Sequence, residues 1–408
     1  AHNRTVIDPE YNGKTVADLY RGANLYEDYT LQNHNYFHTS YQNVVMQELG
    51  ESALALKLFQ TRLHGKERWK TNALMHNNQK VMDNVLKWLA LPDGELAMPN
   101  GNDWSLFLYD QVTSYTTMAC FLRDPDALML EEACLKQIQK RQQATNDGSW
   151  LLRPDVGARR MGVQAHRVLM TLLMHELLPT TDITPTKWED FLRRYKGTKQ
   201  FPCQKVFRFL SDKQLFCLCW SEGLKSYTGY FAPVSADNNN LVVPFRRNNT
   251  GNIFGWYEIK GHKVNARLDG EPTYKLSGKS LILQGRLLAD DDNISIDFNL
   301  KVTRDRVVYK DKVTALKDCE VLSSVEGPIG ISLDPFTREK RDLSKEGRIS
   351  IIDNLLQITY NDTNITLDKP FNNNSILTGI LHSSSISNPT EFKANDIITT
   401  HNITYKIL

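Results

Sequence analysis

Two periodicities divide the chain. From about position 15 to 196, apolar residues recur at spacings of three and four, the signature of amphipathic helices. The segments 16–31, 38–60, 72–91, 105–122, 126–143 and 161–177 follow this pattern. Turn residues separate them at Leu91-Pro92-Asp93-Gly94, Pro99-Asn100-Gly101, Asn146-Asp147-Gly148 and Pro179. From about Phe201 the period falls to two. Apolar and polar residues alternate through 207–220, 264–288, 294–316, 347–362 and 363–369, with Asp-Gly, Ser-Gly and Asp-Asp-Asp-Asn breaks that suit hairpins.

The expected architecture is therefore α + β and multidomain: a helical domain over 1–198 and an antiparallel β-sandwich over 199–408. Two turns in the helical half resemble each other. Trp88 leads into Pro92-Asp93-Gly94-Glu95, and Gln142-Gln143 leads into Asp147-Gly148-Ser149-Trp150. Their spacing of about one helical hairpin predicts stacked αα units, as in a solenoid or an α/α toroid. Asn238-Asn239-Asn240 and Asn372-Asn373-Asn374 are expected in loops. Asp290-Asp291-Asp292-Asn293 suits a solvated hairpin tip, with a structural calcium ion as the alternative. No cofactor is otherwise expected.

Composition narrows the partners. The chain has 408 residues, 41% hydrophobic and 24% charged, with a formal net charge of +2, enough to bury a full core. So small a charge, without a Lys/Arg-rich run, argues against nucleic acid. No apolar segment is long enough to span a membrane. The N-terminus, AHNRTVIDPEY, carries no signal peptide, and a mature secreted chain would read the same way. None of the six cysteines forms a zinc spacing. Cys217 and Cys219 fall on one face of a strand and are expected as buried thiols, as are Cys120 and Cys134 on helices. A monomer is expected.

Chemistry concentrates on the turns of the helical half. Asn33-His34 stands ahead of a long helical pattern and is expected at its N-terminus, with Tyr36, His38, Tyr41, Asn43 and Glu48 close by; ordinary capping is the alternative. After Pro92-Asp93-Gly94 come Asn100, Asn102, Asp103, Trp104, Ser105, Tyr109 and Asp110. Further on are Trp150, Arg153, Arg159, Arg160 and His166. Loop tryptophans stack on sugar rings, amides and arginines bind hydroxyls and carboxylates, and tyrosine with histidine can move protons. Trp88 reads as core, and His166 fits a satisfied helix histidine as well as a ligand contact. Arg159-Arg160 opens a helix, where cations meet the positive end of the dipole, so a paired or ligand-binding role is favoured.

In three places the chain resembles polysaccharide lyases that join an α/α toroid to antiparallel β-sheets, such as hyaluronate, chondroitin, xanthan, heparinase II/III-like and alginate lyases. Asn33-His34 before a helix ending ALALKLF is similar to the Asn-His opening a toroid helix. Asp93-Gly94 leading to Asp103-Trp-Ser-Leu-Phe-Leu-Tyr109 resembles the Asp-Gly loop before the helix of the catalytic tyrosine. In the β half, Asn252, Gly255, Trp256 and Tyr257 resemble an Asn-x-x-Gly-Trp-Tyr segment. The resemblance implies a secreted or periplasmic enzyme acting on an acidic polysaccharide by β-elimination. It implies catalytic roles for Asn33, His34, Tyr109 and Arg160. Substrate contacts would come from Asn102, Asp103, Trp104, Trp150, Arg159, His166, Asn252 and Trp256. The chain departs from the pattern in having few hairpins, so part of a toroid is reduced or missing. It also lacks a clear second histidine in the β half, where His262 is a loose candidate, and has Asn100 and Asn102 where a histidine precedes the tyrosine.

Two other classes remain open. A glycoside hydrolase would need paired carboxylates, with Asp103 beside Glu48 or Asp110. A non-catalytic glycan-binding protein would use Trp104, Trp150 and Trp256 as stacking platforms.

Overall fold

A computed structural model describes residues 13–19, 25–33, 36–62, 71–100, 111–145, 158–220, 229–234, 254–262, 266–277, 279–325, 329–330, 349–352, 355–360, 363–367, 380–381 and 386–407. The chain is α + β, with helices first and antiparallel sheets after. The helices are α1 (Val16–Leu19), α2 (Thr39–Arg62), α3 (Asn78–Val81), α4 (Lys87–Leu89), α5 (Val112–Leu122), α6 (Pro125–Thr145), α7 (Ala158–Leu177) and α8 (Trp188–Tyr195). A π-turn, Met82–Leu86, joins α3 to α4.

Two helical expectations change. Of the helix expected over 16–31 the described part is α1, and Leu25 bridges Leu31 rather than continuing it. Asp28 explains the break. Its Oδ1 accepts hydrogen bonds from Thr30 N (3.2 Å) and Thr30 Oγ1 (2.6 Å), an Asx-type turn that competes with helix, and Tyr29 takes φ +63°. The pattern over 72–91 is likewise interrupted by left-handed Asn77, at φ +65°, before α3 begins.

Between the helices and the large sheet lies a four-stranded sheet: β3 (Gly197–Phe201), β4 (Val206–Leu210), β5 (Gln214–Cys219) and β6 (Gly229–Pro233), in sequence order and antiparallel. Every residue of β4 and β5 is buried. Strand alternation divides them between two cores. Val206, Leu210, Leu215, Cys217 and Cys219 join the helical core with Phe37, Leu86, Leu89 and Tyr195. Phe207, Phe209, Phe216 and Leu218 join the core of the β half. Cys217 and Cys219 are thus buried on one face, as expected, and Cys120 and Cys134 are buried on helices.

The second core is covered by a nine-stranded antiparallel sheet. Its path runs β15 (Ile349–Ile352), β16 (Leu355–Tyr360), β17 (Thr363–Leu367), β20 (Ile397–Ile407), β12 (Arg306–Ala315), β11 (Ile294–Val302), β10 (Ser280–Ala289) and β8 (Ala266–Leu268), with β9 (Thr273–Ser277) also on β10. A three-stranded sheet of β19 (Thr390–Phe392), β13 (Cys319–Val325) and β7 (Trp256–Ile259) adds Tyr257, Ile259 and Val321 to the same core. A short pair, β14 (Ile329–Gly330) and β18 (Ile380–Leu381), completes the described strands of the β half. Asp290, Asp291 and Asp292 turn the β10–β11 hairpin with φ +54°, +57° and +61°, and Asn293 Nδ2 donates to Asp290 O (2.6 Å). The tetrad is a hairpin tip.

The helical half is tied together by a buried cation. Lys87 Nζ lies 2.7 Å from Asp83 Oδ1, 2.8 Å from Asp124 Oδ2 and 2.9 Å from Asp126 Oδ2. Burial would pull this lysine down, but the carboxylates reverse it and hold it above the ordinary value. Arg194 of α8 pairs with Asp126, so α4, α6 and α8 share one network. Burial pushes Asp126 up, yet hydrogen bonds from Arg194 and Thr186 leave it below the usual carboxylate range.

Candidate functional site

Asn33-His34 does not open a helix. Asn33 ends β1 (Gln32–Asn33), which pairs with β2 (Tyr36–Phe37) in a two-stranded hairpin, Asn33 opposite Tyr36. The helix begins at Thr39, and its N-terminal cap is His38. His38 Nδ1 accepts from Tyr41 N (3.3 Å), and its carbonyl accepts from Gln42 N (3.1 Å). A side-chain acceptor for the first orphan amides stands at His38, about five residues nearer the helix than Asn33, so His38 caps and Asn33 is left to the hairpin.

That hairpin is clamped to the loop after Gly94. Phe37 N donates to Asn100 Oδ1 (3.1 Å), and Thr39 Oγ1 donates to Ala97 O (3.2 Å). Asn100 is fully buried, so its amide serves as a fixed bracket. The far side of the loop is fixed as firmly. Gln111 Nε2 donates to Glu95 Oε1 (2.6 Å) and Gly94 O (3.0 Å), and Tyr115 Oη donates to Gly94 O (3.2 Å). Glu95 Oε1 also accepts from Leu96 N (3.0 Å). Gly94 takes φ +83°, and a Cβ there would stand 2.5 Å from Cys134 Sγ and 2.7 Å from Leu130 O. Only glycine fits. Burial, with Cys134 and the acidic Glu95 and Asp93 nearby, raises Tyr115 well above an ordinary tyrosine. It is a structural tyrosine.

Beneath the hairpin, α2, α5 and α7 meet through polar side chains. Ser114 Oγ donates to Asn43 O (2.7 Å), Thr113 Oγ1 to Arg167 O (3.1 Å) and Thr116 Oγ1 to Thr171 Oγ1 (3.1 Å). Gly50 allows α2 close to α5, since a Cβ would fall 1.9 Å from Thr117 Oγ1. At one end His175 Nε2 lies 2.6 Å from Glu131 Oε1, with Cys120 Sγ and Thr180 Oγ1 at 3.7 Å and 3.0 Å from Nδ1. Hydrogen bonding to Cys120 and to Glu131 lifts His175 to about 10. Burial raises Glu131.

The expected site residues distribute as follows. Asn33 is half-buried in the hairpin. Arg159 is exposed in the first turn of α7. Arg160 lies beside it on the helix, its side chain outside the described residues. His166 Nε2 sits 3.0 Å from Glu51 Oε2, about three turns and about 18 Å along α2 from Thr39. The histidine therefore joins α7 to α2 well away from the hairpin. Trp256 is half-buried on β7 opposite Val325, while its neighbours Phe254 and Tyr257 point into the core. His34, Asn102, Asp103, Trp104, Tyr109, Trp150 and Asn252 lie outside the described residues. His262 is exposed, with Nδ1 3.1 Å from Asp291 Oδ2 at the hairpin tip. Among the described residues no group of three or more His, Cys, Asp or Glu could hold a metal ion.

Sequence reading missed several polar residues that the fold uses. Glu95 and Gln111 act across a loop and leave no periodic trace. Another buried histidine in the β half, His401 on β20, has Nδ1 2.7 Å from Asp311 Oδ1, whose Oδ2 accepts from Tyr309 Oη at 2.5 Å. Arg208 was missed as well, although the alternation carries a signal for it. In Val206-Phe-Arg-Phe-Leu210 it falls on the same face as two buried aliphatics.

No protein-family model matches the chain, nor does any curated protein. Among solved structures, the chain is similar to the chondroitin AC lyase of Streptomyces coelicolor A3, with TM-score 0.45 and 11% identity over 95% of this chain and 55% of that one. A Paenibacillus xanthan lyase gives TM-score 0.49 and 10% identity over 94% and 40%. The heparan sulfate lyase HepC of Pedobacter heparinus gives TM-score 0.37 and 10% identity over 88% and 68%. The chain thus spans about half the length of the first two. All three neighbours are polysaccharide lyases, and at these scores the likeness assigns no role to any residue here. Among the described residues no helix is long and apolar enough to cross a membrane.

Proposed function

We propose that the chain is a polysaccharide lyase that cleaves a uronic-acid-containing polymer by β-elimination in a secreted or periplasmic setting. On this reading the helices form a reduced α/α toroid and the sheets a β-sandwich. The observation that carries it is the clamp of the Asn33 hairpin onto the loop ending at Asn100. It ties together the two stretches of sequence with the lyase-like Asn-His and the Asp-Gly-to-tyrosine patterns, and Gln111 secures the other flank of 101–110.

A uronate C5 proton is too weakly acidic for a protein base acting alone. The carboxylate must first be neutralised, so that the enolate-like charge is stabilised where it forms. Asn33 is suited to donate that hydrogen bond, with Arg159 or Arg160 adding charge. His34 or Tyr109 removes the C5 proton, and Tyr109 returns one to the O4 leaving group. Asn102, Asp103 and Asn252 contact substrate, with Trp104, Trp150 and Trp256 stacking on sugar rings; His166, held by Glu51 well away from the hairpin, takes no part.

The test is incubation with hyaluronan, chondroitin sulfates, heparan sulfate, heparin and alginate, following ultraviolet absorbance of an unsaturated uronate. Absorbance is expected to rise with one of them and to slow about 10²- to 10³-fold in Asn33→Ala, the scale for losing one donor to a developing oxyanion. New reducing ends without absorbance would mean hydrolysis and overturn the reading. Near-native turnover in a folded Asn33→Ala variant would remove Asn33 from the mechanism.

A further inference from the structure

The buried side of α7 is polar and its exposed side is apolar. Gln164, Arg167 and Thr171 are buried where the helix meets Thr113 and Thr116 of α5, while Leu169 and Leu172 are 49% and 55% exposed. A helix on a free surface does the reverse, turning its apolar stripe to the core and its polar one to water. The exposed side is also regular. Gly162, Ala165, Leu169 and Leu172 recur at three and four residues, the spacing of a seam that one helix offers another. The apolar surface continues onto α2. Glu51, which meets His166, shares a helix face with Ala55 and Leu58, and Leu58 and Phe59 are 41% and 44% exposed.

This seam is complementary to itself run backwards. Its N-terminal half is small and its C-terminal half is large. Against an antiparallel copy, about a two-fold axis level with Arg167, Gly162 comes opposite Leu172 and Ala165 opposite Leu169. Each layer then sets a small residue against a large one. The space beside Gly162 is open, since a Cβ built there would meet nothing within 4 Å. Charge follows the same register. Arg159 is exposed in the first turn of α7 and Glu176 in the last, and among the described residues neither has an ion-pair partner. Within one chain each stands at the end of the helix dipole that disfavours its charge. In the antiparallel pair Arg159 of one copy lies beside Glu176 of the other, and both mismatches are answered.

We propose that the exposed face of α7, widened by Leu58 of α2, is the interface of a two-fold homodimer in which α7 packs antiparallel to its copy. The sequence alone led us to expect a monomer. The contact is isologous, so it closes at two copies. The 20 residues of α7 give it a length of about 30 Å. A sugar chain is a poor occupant, because aliphatic side chains offer it neither an aromatic face nor hydrogen bonds. With Arg159 held across the interface, Arg160 is the arginine left for the substrate in the proposed reaction.

The experiment is sedimentation velocity of the whole chain over a wide range of concentration, with circular dichroism to check that each variant folds. A reversible dimer is expected. Leu172→Glu, at a position open to water in the single chain, should weaken it about 30-fold or more. Gly162→Leu separates matched packing from general stickiness. It adds apolar surface without a clash inside the chain, so it weakens a matched seam and strengthens a face that is merely apolar. Arg159→Glu and Glu176→Arg should each weaken the dimer about two- to fivefold, and the double variant should restore it. A monomer at every concentration would overturn the interface. So would a dimer indifferent to Leu172→Glu, one tightened by Gly162→Leu, or charge variants that do not rescue each other.

Discussion

Lys87 and Arg208 are both buried cations near Trp88, the first its chain neighbour and the second over its ring, and their surroundings are opposite. Lys87 touches three carboxylates; Gln79 donates to the same Asp124 Oδ2, and the backbone amides of Asp126 and Ala127 satisfy Asp124 Oδ1. Arg208 donates to two carbonyls and, among the described residues, to no carboxylate, with its Nε and Nη2 buried and unbonded. The electrostatic response follows. The carboxylates hold Lys87 above its ordinary value, whereas burial takes Arg208 below. A saturated cation is a brace, and removing it strands its partners.

Substitution should separate the two. Lys87→Met leaves Asp124 and Asp126 buried without their shared cation and should cost about 3–5 kcal/mol in denaturant unfolding. Arg208→Met removes an uncompensated charge and keeps contact with Trp88, so it should cost less than about 2 kcal/mol. Equal losses would break the comparison. His175 stands between the two, with one carboxylate. Its folded value of about 10 exceeds the unfolded value near 6.5, so its stabilisation is complete below about pH 6.5 and disappears as pH rises through about 10. His175→Gln should flatten that part of the stability–pH curve, and an unchanged slope would mean the pair contributes nothing.

What could be read in the sequence follows from how far each interaction reaches. The switch of period near 197–202 marked the passage from helices to strands, and alternation put Cys217 and Cys219 on one buried face. The same alternation exposes Arg208 as a cation on a core face, although its unbonded nitrogens need coordinates. Asn33-His34 was misplaced because two residues competed to cap one helix, and a local hairpin with His38 won. Nothing in the spacing of Glu95 and Gln111, or of Asn100 and Phe37, announces that they meet, since loop closure sets those contacts. The helix expected through Asp28 failed because one aspartate's bonds to Thr30 outweighed a pattern of apolar residues.

The sheet of β4 and β5 has a consequence for inheritance. Along Val206-Phe207-Arg208-Phe209-Leu210, successive residues answer to different cores, one toward the helices and the next toward the β half. A crossover between two such genes before Gly197 or beyond Pro233 would transplant strands with one native side and one foreign side. Selection would see mispacking on every second residue. The two halves should therefore descend together, and changes at Cys217 or Phe216 should be traceable to compensating changes in opposite parts of the molecule.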